Sequence, residues 1–573
     1  LLGAVRMRAP VSWIKQYCPT GLSPTEIAER FDLTGTEVAS VLAHGVTQPE
    51  GFVVGEVLTC EQHPDADRLR VCTVAVGGEE PSTIVCGAPN VAAGQKVPVV
   101  LPGSVLPDGS KLKPAKLRGV RSEGMILAAD ELGLGDDHSG VIVFTGADAE
   151  WPAGTPLSEL FELGGPVLEL EVTPNRPDCL GMYGVARELA AATGTTLAPP
   201  PWTEDRLTGG PTGAEQKPLG VSVKVACPEL CPRFTARGFE NVTVGPSPWW
   251  LRAKLAAAGQ RSISNVVDIT NYVMLETGQP LHAFDADLID GKELVVRLAI
   301  EGEKVATLDG EERKVDAQTV LVCDAKGSTA IAGIMGGARS EVSESTSHVL
   351  LEVANWNGPN IHRSSLKLGL RSEASSRFEK GLSPASVMDA QALATRLMVE
   401  LCGATPVPET ADVGGAPAPA AAISLRAARI EAVLGYAVSR ERAAEILVLL
   451  GFAVETDGGE LSVVPPYFRA AEVTREIDLI EEIARIEGLH KLPATLPPRI
   501  QAGGLGTTQM LRRKAEDALA AAGLSEIAGW TFTTPELPGK LGIADGEHGS
   551  QLVSIANPMR SASSTWATCS GCW

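Results

Sequence analysis

Three compact segments carry residue types from which a binding or hydrolytic pocket can be built: VVDITNYVMLETGQPLHAFD (266–285), AIAGIMGGARSEV (330–342) and RSEASSRFEKG (371–381). None shows the apolar repeat of a helix or strand. Polar side chains bunched with glycine inside an apolar region mean either tight turns or a pocket wall. Any one segment reads more readily as a turn, and three in one region favour a pocket. A second constellation is acidic: Asp478, Glu481 and Glu482 stand at i, i+3 and i+4 of a helix expected over 474–487, so their carboxylates can lie close together. The plain reading is a solvated face; the chemical one is a hard-cation site for Mg²⁺, which takes one or two protein carboxylates and completes its shell with water or phosphate. The third feature is electrostatic. Between Gln95 and Arg121 the only acid is Asp108, against Lys96, Lys111, Lys113, Lys116, Arg118 and Arg121, a local charge of +5. Such a strip is either a solvated face or a track for the phosphates of single-stranded or loop RNA.

The chain that must position these groups has 573 residues, which at ~150 residues per domain suggests about four domains. With 44% apolar and 21% charged residues, several ordinary cores can form and wholesale disorder is excluded. The net charge of −21 argues against a polycation that coats nucleic acid or anionic lipid, while leaving room for the local basic strip. No run of 18 apolar residues occurs, and the first residues lack the pattern of a signal peptide, so no membrane partner is expected. The first methionine is Met7, so residues 1–6 read as lying upstream of a natural start. Eleven cysteines are an ordinary density for the reducing cytoplasm. The close pairs Cys227/Cys231 and Cys569/Cys572 are more than 300 residues apart and do not read as a four-ligand zinc site.

Two stretches rich in Pro, Gly and Ala, 195–218 and 404–422, read as linkers. In the first block, LSPTEIAERFDLTG is a helix with Ser23 as N-cap and Pro24 at its first position. FVVGEVLTC, LRVCTVAVG, STIVCGA and QKVPVVL follow as short strands of a small β-barrel. The second block mixes strands and helices, the clearest helix being SPASVMDAQALATRLMVELCG, stopped by Gly403. The third places helices near 425–434, 439–450 and 474–487 around a strand pair, resembling a winged-helix module; Ile477, Ile480 and Ala484 are its expected buried stripe.

Taken in order, GFVVGEVLTCEQHPDADRLRVCTV, IVCGAPNV, KLRGVRSEGM, GQPLHAFD, AGIMGG, SEASSRFEKG and DLIEEIARIEG resemble the landmarks of the bacterial phenylalanine–tRNA ligase β subunit from Met7 to about Pro558. The resemblance implies a multidomain α+β fold with these parts: an N-terminal helical segment (1–44), an OB-like tRNA-binding barrel (45–160), a connecting region and linker (161–218), an α/β editing domain (219–403), a linker (404–422), a winged-helix-like metal-binding domain (423–496) and the start of a catalytic-like but inactive α+β domain (497–573). It implies tRNA contacts, an α₂β₂ assembly with an α subunit that uses ATP to join Phe to tRNA, cytoplasmic localisation, and hydrolysis of mischarged Tyr-tRNA. An apolar site shaped for Phe rejects Tyr only ~100-fold, so a second site that recognises the hydroxyl is needed.

By motif alignment, the resemblance places the editing pocket on Thr270, Asn271, His282, Gly336, Glu352 and Ala374. In this reading Glu352 accepts the tyrosyl hydroxyl, His282 holds the terminal adenosine or a water, Gly336 permits close approach, and Ala374 keeps the pocket open. It likewise assigns a shared Mg²⁺ to Glu472, Asp478, Glu481 and Glu482, with Glu472 standing where the family pattern has Asp. After SIANPM the family continues with a Leu-rich helix; here the chain reads RSASSTWATCSGCW, and residues 564–573 read in a shifted frame regain a Leu-rich run, so a frameshift or shortened gene is expected and Cys569 and Cys572 receive no redox role. The alternative is a stand-alone tRNA-binding or tethering protein without catalysis, against which the pocket segments argue. A DNA-binding role for the third block is disfavoured by its acidity.

Overall fold

The computed structural model describes residues 6–202, 210–457, 460–496, 503–528, 532–543, 552–558 and 565–567. Most of the expected frameshifted tail, including Cys569 and Cys572, lies outside them. The chain divides into two compact units, 1–493 and 494–573.

The first unit begins with β1 (Met7–Pro10), α1 (Val11–Tyr17), α2 (Pro24–Leu33) and β2 (Glu37–Gly45). Ser23 caps α2 as the sequence suggests: its hydroxyl accepts from Glu26 N, and Glu26 Oε2 accepts from Ser23 N at 2.8 Å. Then come β3 (Phe52–Gln62), β4 (Arg70–Ala75), β5 (Ser82–Cys86), β6 (Lys96–Val100), the hairpin of β7 (Ala115–Leu117) and β8 (Val120–Ser122), and β9 (Met125–Ile126). Their antiparallel ladder runs β5-β4-β3-β6-β9. The sheet curls round so that Glu123 N, just past β8, donates to Thr83 O on β5 at 2.8 Å.

The connecting region is a correction. β10 (Gly164–Glu171) is the middle strand of a sheet β1-β10-β2, and α3 (Met182–Thr193) is almost wholly buried. Residues 7–45 and 164–193 therefore fold together. They share one apolar core with the central block, where Trp13 donates to Glu276 Oε2 at 2.7 Å and stacks on Tyr272 at 5.1 Å.

The central block contains β11 (Thr212–Gly213), β12 (Ser222–Val225), β13 (Arg233–Glu240), α4 (Trp249–Ala257), α5 (Asn265–Thr277), β14 (Leu281–Asp285), β15 (Glu293–Leu298), the hairpin of β16 (Lys304–Ala306) and β17 (Glu312–Lys314), β18 (Val320–Asp324), β19 (Gly327–Ile331), β20 (Met335–Gly336), β21 (Val349–Asn355), α6 (Gly358–Leu368), α7 (Glu373–Phe378), α8 (Ser386–Cys402) and β22 (Thr405–Val413). Two five-stranded sheets form, β11-β22-β13-β21-β14 and β12-β15-β18-β19-β20. Two expectations fail here. Residues 405–413, read as linker, are a strand inside the first sheet, paired with β13 and β11. The segment 266–285, read as non-periodic, opens with the helix α5. It is buried on nearly every side, from Asn265 and Val266 through Leu275 and Glu276, so no polar stripe marks it as helical.

β23 (Ile423–Leu425), α9 (Ala427–Leu434), α10 (Arg440–Leu449), β24 (Ala453–Asp457), β25 (Glu460–Val464) and α11 (Glu476–Glu487) complete the unit, with the sheet order β23-β25-β24. On α11 the buried stripe is Leu479, Ile480, Ile483 and Ala484, while Ile477 is 43% exposed, contrary to expectation. The second unit holds α12 (Thr507–Ala521) and a small sheet of β26 (Phe532–Thr533), β27 (Leu552–Ser554) and β28 (Thr565–Ala567).

A buried ionic network joins α3 to α11. Arg176 binds Asp178 at 3.0 Å and Glu188 at 2.6 Å; Arg187 binds Asp178 at 3.2 Å; Arg485 binds Glu188 and Glu482, and Arg469 binds Glu482 at 2.8 Å. Despite burial, the facing guanidiniums hold Asp178 below the usual carboxylate range and Glu188 at about 2. Removing one partner strands the others in low dielectric, so Arg485→Leu is expected to cost about 3–5 kcal/mol in urea unfolding, whereas Arg6→Ala, which removes the exposed pair with Glu171, should cost at most about 1 kcal/mol. Equal small effects would show that the network is dispensable.

Candidate functional site

β14 and β21 pair antiparallel with His282 directly opposite Glu352. Directly opposed residues share a face of the sheet, so imidazole and carboxyl point the same way. They look into a narrow cleft. β14 supplies Leu281 and His282, preceded by Pro280; the turn from β19 to β20 supplies Ala330–Gly336; β21 supplies Glu352; and Trp356, Ala374 and Phe378 close the remaining side. The wall is mostly apolar. Two polar atoms in it, Glu352 Oε2 and His282 Nε2, are buried without a protein partner. Unpartnered buried polar atoms carry a desolvation cost unless a ligand or water meets them.

Burial acts on both groups in opposite directions. It pushes the Glu352 carboxyl up to about 8 and the His282 imidazole down to about 4, because each charged form loses hydration. Near neutral pH both are uncharged, leaving Glu352 able to donate or accept a hydrogen bond and His282 able to accept one. The imidazole stands edge-on to Phe284 with centroids 4.5 Å apart.

Local rules fix the surrounding pieces. Gly333 has φ +65°, and a Cβ there would lie 2.8 Å from Trp356 and 3.1 Å from Phe378. At Gly336 a Cβ would sit 2.4 Å from His282 Cε1, so only glycine lets this backbone pass the imidazole. Ser372 caps α7 by accepting from Ser375 N at 3.1 Å and donates its own proton to Ile334 O at 2.8 Å, tying Ala374's helix to the glycine-rich turn.

Of the six residues expected at the pocket, His282, Gly336, Glu352 and Ala374 come together. Thr270 and Asn271 do not line the cleft: both lie on α5, and the Thr270 hydroxyl donates to Val267 O of its own helix at 2.7 Å. Sequence reasoning missed Met335, Trp356 and Phe378 as lining residues. Phe378 and Met335 stood inside the segments singled out, where attention fell on polar groups.

The acidic set behaves differently. Glu472, Asp478, Glu481 and Glu482 do not gather; among the described residues the cluster of potential ligand atoms is Asp178, Cys179 and Glu188 instead, and its two carboxylates are taken by arginines. On α11, Glu482 turns inward to Arg469 and Arg485, Asp478 folds back to accept from Arg475 N at 2.8 Å and bind the Arg475 guanidinium, and Glu481 faces solvent. Glu472 has an unpartnered buried oxygen, and burial raises its carboxyl to about 7. Spacing i, i+3, i+4 places side chains within reach of each other, but these rotamers satisfy other partners. The four residues do not fit a shared Mg²⁺ site in this arrangement.

In the basic strip, Lys111, Lys113, Lys116, Arg118 and Arg121 lie towards solvent, while Lys96 on β6 is held by Glu56 at 2.8 Å with only 18% of its side chain exposed. The β7–β8 hairpin rests on the loop 63–69: His63 Nε2 donates to Leu117 O at 3.2 Å, and Arg118 Nη1 donates to Asp65 O at 3.3 Å. Arg121 is paired with Glu123 at 3.0 Å.

The family descriptions that match this chain are "Putative tRNA binding domain" over 52–156, "B3/4 domain" over 230–403, "tRNA synthetase B5 domain" over 423–489 and "Phenylalanyl tRNA synthetase beta chain CLM domain" over 492–569. The cleft lies within the second and the basic hairpin within the first, which defines a component of an aminoacyl-tRNA synthetase. The chain belongs to the phenylalanine–tRNA ligase beta subunit family. It is 41% identical to that subunit of Moorella thermoacetica over 97% of this chain and 68% of the relative, 43% identical to that of Halalkalibacterium halodurans over 98% and 69%, and 39% identical to that of Syntrophus aciditrophicus over 98% and 69%. The likeness runs through all the blocks rather than the barrel alone. No helix among the described residues is long and apolar enough to cross a membrane.

The raised Glu352 carboxyl has a thermodynamic signature. Its contribution to stability is complete below the ordinary carboxyl range, falls as pH rises because the unfolded chain ionises first, and levels off above pH about 8. The wild-type unfolding midpoint should therefore decline relative to Glu352→Gln between pH 4.5 and 8, the full span amounting to about 5 kcal/mol. A difference that is flat with pH would mean that the carboxyl is hydrated in the native state.

Proposed function

We propose that this beta subunit proofreads: it hydrolyses Tyr-tRNA made in error, while a separate alpha subunit in an α₂β₂ assembly joins phenylalanine to ATP and then to tRNA in the cytoplasm. The observation that carries the reading is the unpartnered, uncharged Glu352 carboxyl opposite His282 in an apolar cleft. A tyrosyl ring enters against Phe378, Trp356 and Ala374, and its hydroxyl pairs with Glu352. Phenylalanine fits the same walls but leaves the carboxyl unpaired. The proofreading site thus selects for the hydroxyl that an apolar synthetic site rejects poorly. His282, neutral at physiological pH, holds a water at the ester. The water oxygen adds to the ester carbonyl, the bond to the ribose oxygen breaks, and that oxygen leaves with a proton. Gly336 gives the ester room beside the imidazole.

The deciding assay charges tRNA specific for Phe with either Tyr or Phe and follows deacylation by the complex reconstituted with an alpha subunit. Tyr-tRNA should be hydrolysed and Phe-tRNA spared. Glu352→Ala should cut that selectivity by roughly 5- to 150-fold, the worth of about 1–3 kcal/mol for one buried hydrogen-bond partner. Ala374→Trp should fill the cleft and abolish hydrolysis with tRNA binding intact. A complex that binds tRNA and never hydrolyses the Tyr ester would reduce the cleft to packing.

The exposed lysines support binding of tRNA phosphates by the hairpin face. Lys111, Lys113 and Lys116 changed together to Glu should weaken tRNA binding and lower its salt slope by up to about 0.9 for each phosphate no longer neutralised. Unchanged affinity and slope would make the strip an ordinary solvated face.

A further inference from the structure

A pair of thiols in the first block plays no part in either reading. Cys60 on β3 stands directly opposite Cys72 on β4, and the Cys72 S–H donates to Cys60 Sγ at 3.7 Å. Opposed residues on antiparallel strands have Cα atoms about 4.5–5.5 Å apart, within the ~4.4–6.8 Å that a disulfide spans. Closing the bond takes a further approach of the two sulfurs, rotation to the torsion a disulfide requires, and release of Val91 O by Cys60. The two positions are unlike in access. Cys72 is fully buried, and burial pushes its thiol up to about 12, whereas Cys60 is half-buried at the edge of the core, its S–H donating to Val91 O at 3.5 Å.

We propose that Cys60 and Cys72 are a peroxide-oxidisable pair that closes to a disulfide across β3 and β4 and braces the loop carrying the basic hairpin. The Cys60 thiolate attacks one oxygen of hydrogen peroxide; the O–O bond breaks, and the released hydroxide takes a proton to become water, leaving Cys60 as the sulfenic acid. The Cys72 sulfur then attacks the Cys60 sulfur and its S–O bond breaks. The departing hydroxide leaves as water with the Cys72 proton. Two thiols lose two electrons, and peroxide is reduced to two waters.

The location gives the bond a consequence. The loop 63–69 starts three residues after Cys60 and ends three before Cys72, and its base is already pinched by His63 N donating to Leu69 O at 3.0 Å. From this loop His63 and Asp65 hold Leu117 and Arg118 of the β7–β8 hairpin. β5 already holds the far strand of the hairpin, where Ser122 Oγ accepts from Val85 N at 3.0 Å; a covalent link at the loop's foot removes the loop's freedom to open and so fixes the side of the hairpin around Leu117 and Arg118.

The test treats the full chain with hydrogen peroxide, blocks remaining thiols and maps non-reduced peptides by mass. The expected product joins the Cys60 and Cys72 peptides with loss of two hydrogens. It is cleaved by dithiothreitol and absent from Cys60→Ser and from Cys72→Ser. Amide exchange across 63–69 and 115–122 should slow in the oxidised chain. Cys60 driven to the sulfinic acid beside a free Cys72 overturns the pairing. That outcome needs no folded variant, because the wild-type map alone shows it. A link formed with exchange unchanged overturns the brace.

Discussion

The pairing of β14 with β21 is the constraint on which the candidate site depends. Every residue of β21 is buried, yet it carries Glu352 at its centre, and its register against β14 sets His282 one strand away on the same face. An acid in such a strand is destabilising unless it is neutral, and this one is neutral near physiological pH because nothing charged is close enough to hold it ionised. Had a lysine or arginine been opposite, the same position would be a structural ion pair. An imidazole that burial also keeps neutral leaves two hydrogen-bonding atoms with no partner but an incoming ligand.

The charged groups elsewhere obey the opposite rule. Asp178, Glu188 and Glu482 are as deeply buried as Glu352, but each faces a guanidinium and stays ionised. The two environments differ in consequence: arginine-matched acids join α3, the segment around Arg469 and α11, while Glu352 keeps an unpartnered oxygen at the cleft. The same division explains why the carboxylates of α11 do not gather. Glu482 is engaged by Arg469 and Arg485, and Asp478 is occupied at the helix N-terminus.

The N-terminal segment is integrated in a way that local pattern does not suggest. β10 lies between β1 and β2, and Trp13 reaches Glu276 in the central block, so residues far apart in sequence share one core. One barrel core extends onto α4 through Trp249 and Ala253, and the outer hairpin rests both on the loop 63–69 and on β5, where Ser122 Oγ accepts from Val85 N at 3.0 Å.

What the sequence determined by itself is what short-range physics controls. The Ser23 cap of α2, the strands β3 to β6 between Gly, Pro and Asn, and the helix stopped at Gly403 could all be read from neighbouring residues. The ordered motifs placed His282, Gly336, Glu352 and Ala374 in one pocket. What only the tertiary structure decided is what depends on distant partners. Residues 405–413 carry Pro406 and Pro408 and read as a linker, but β13, some 170 residues earlier, makes them a strand. α5 has no polar face because neighbours cover it all round, so periodicity could not reveal it. Glu481 and Glu482 are adjacent and chemically alike. One faces water and the other two arginines, because only packing chooses which side of a helix becomes interior.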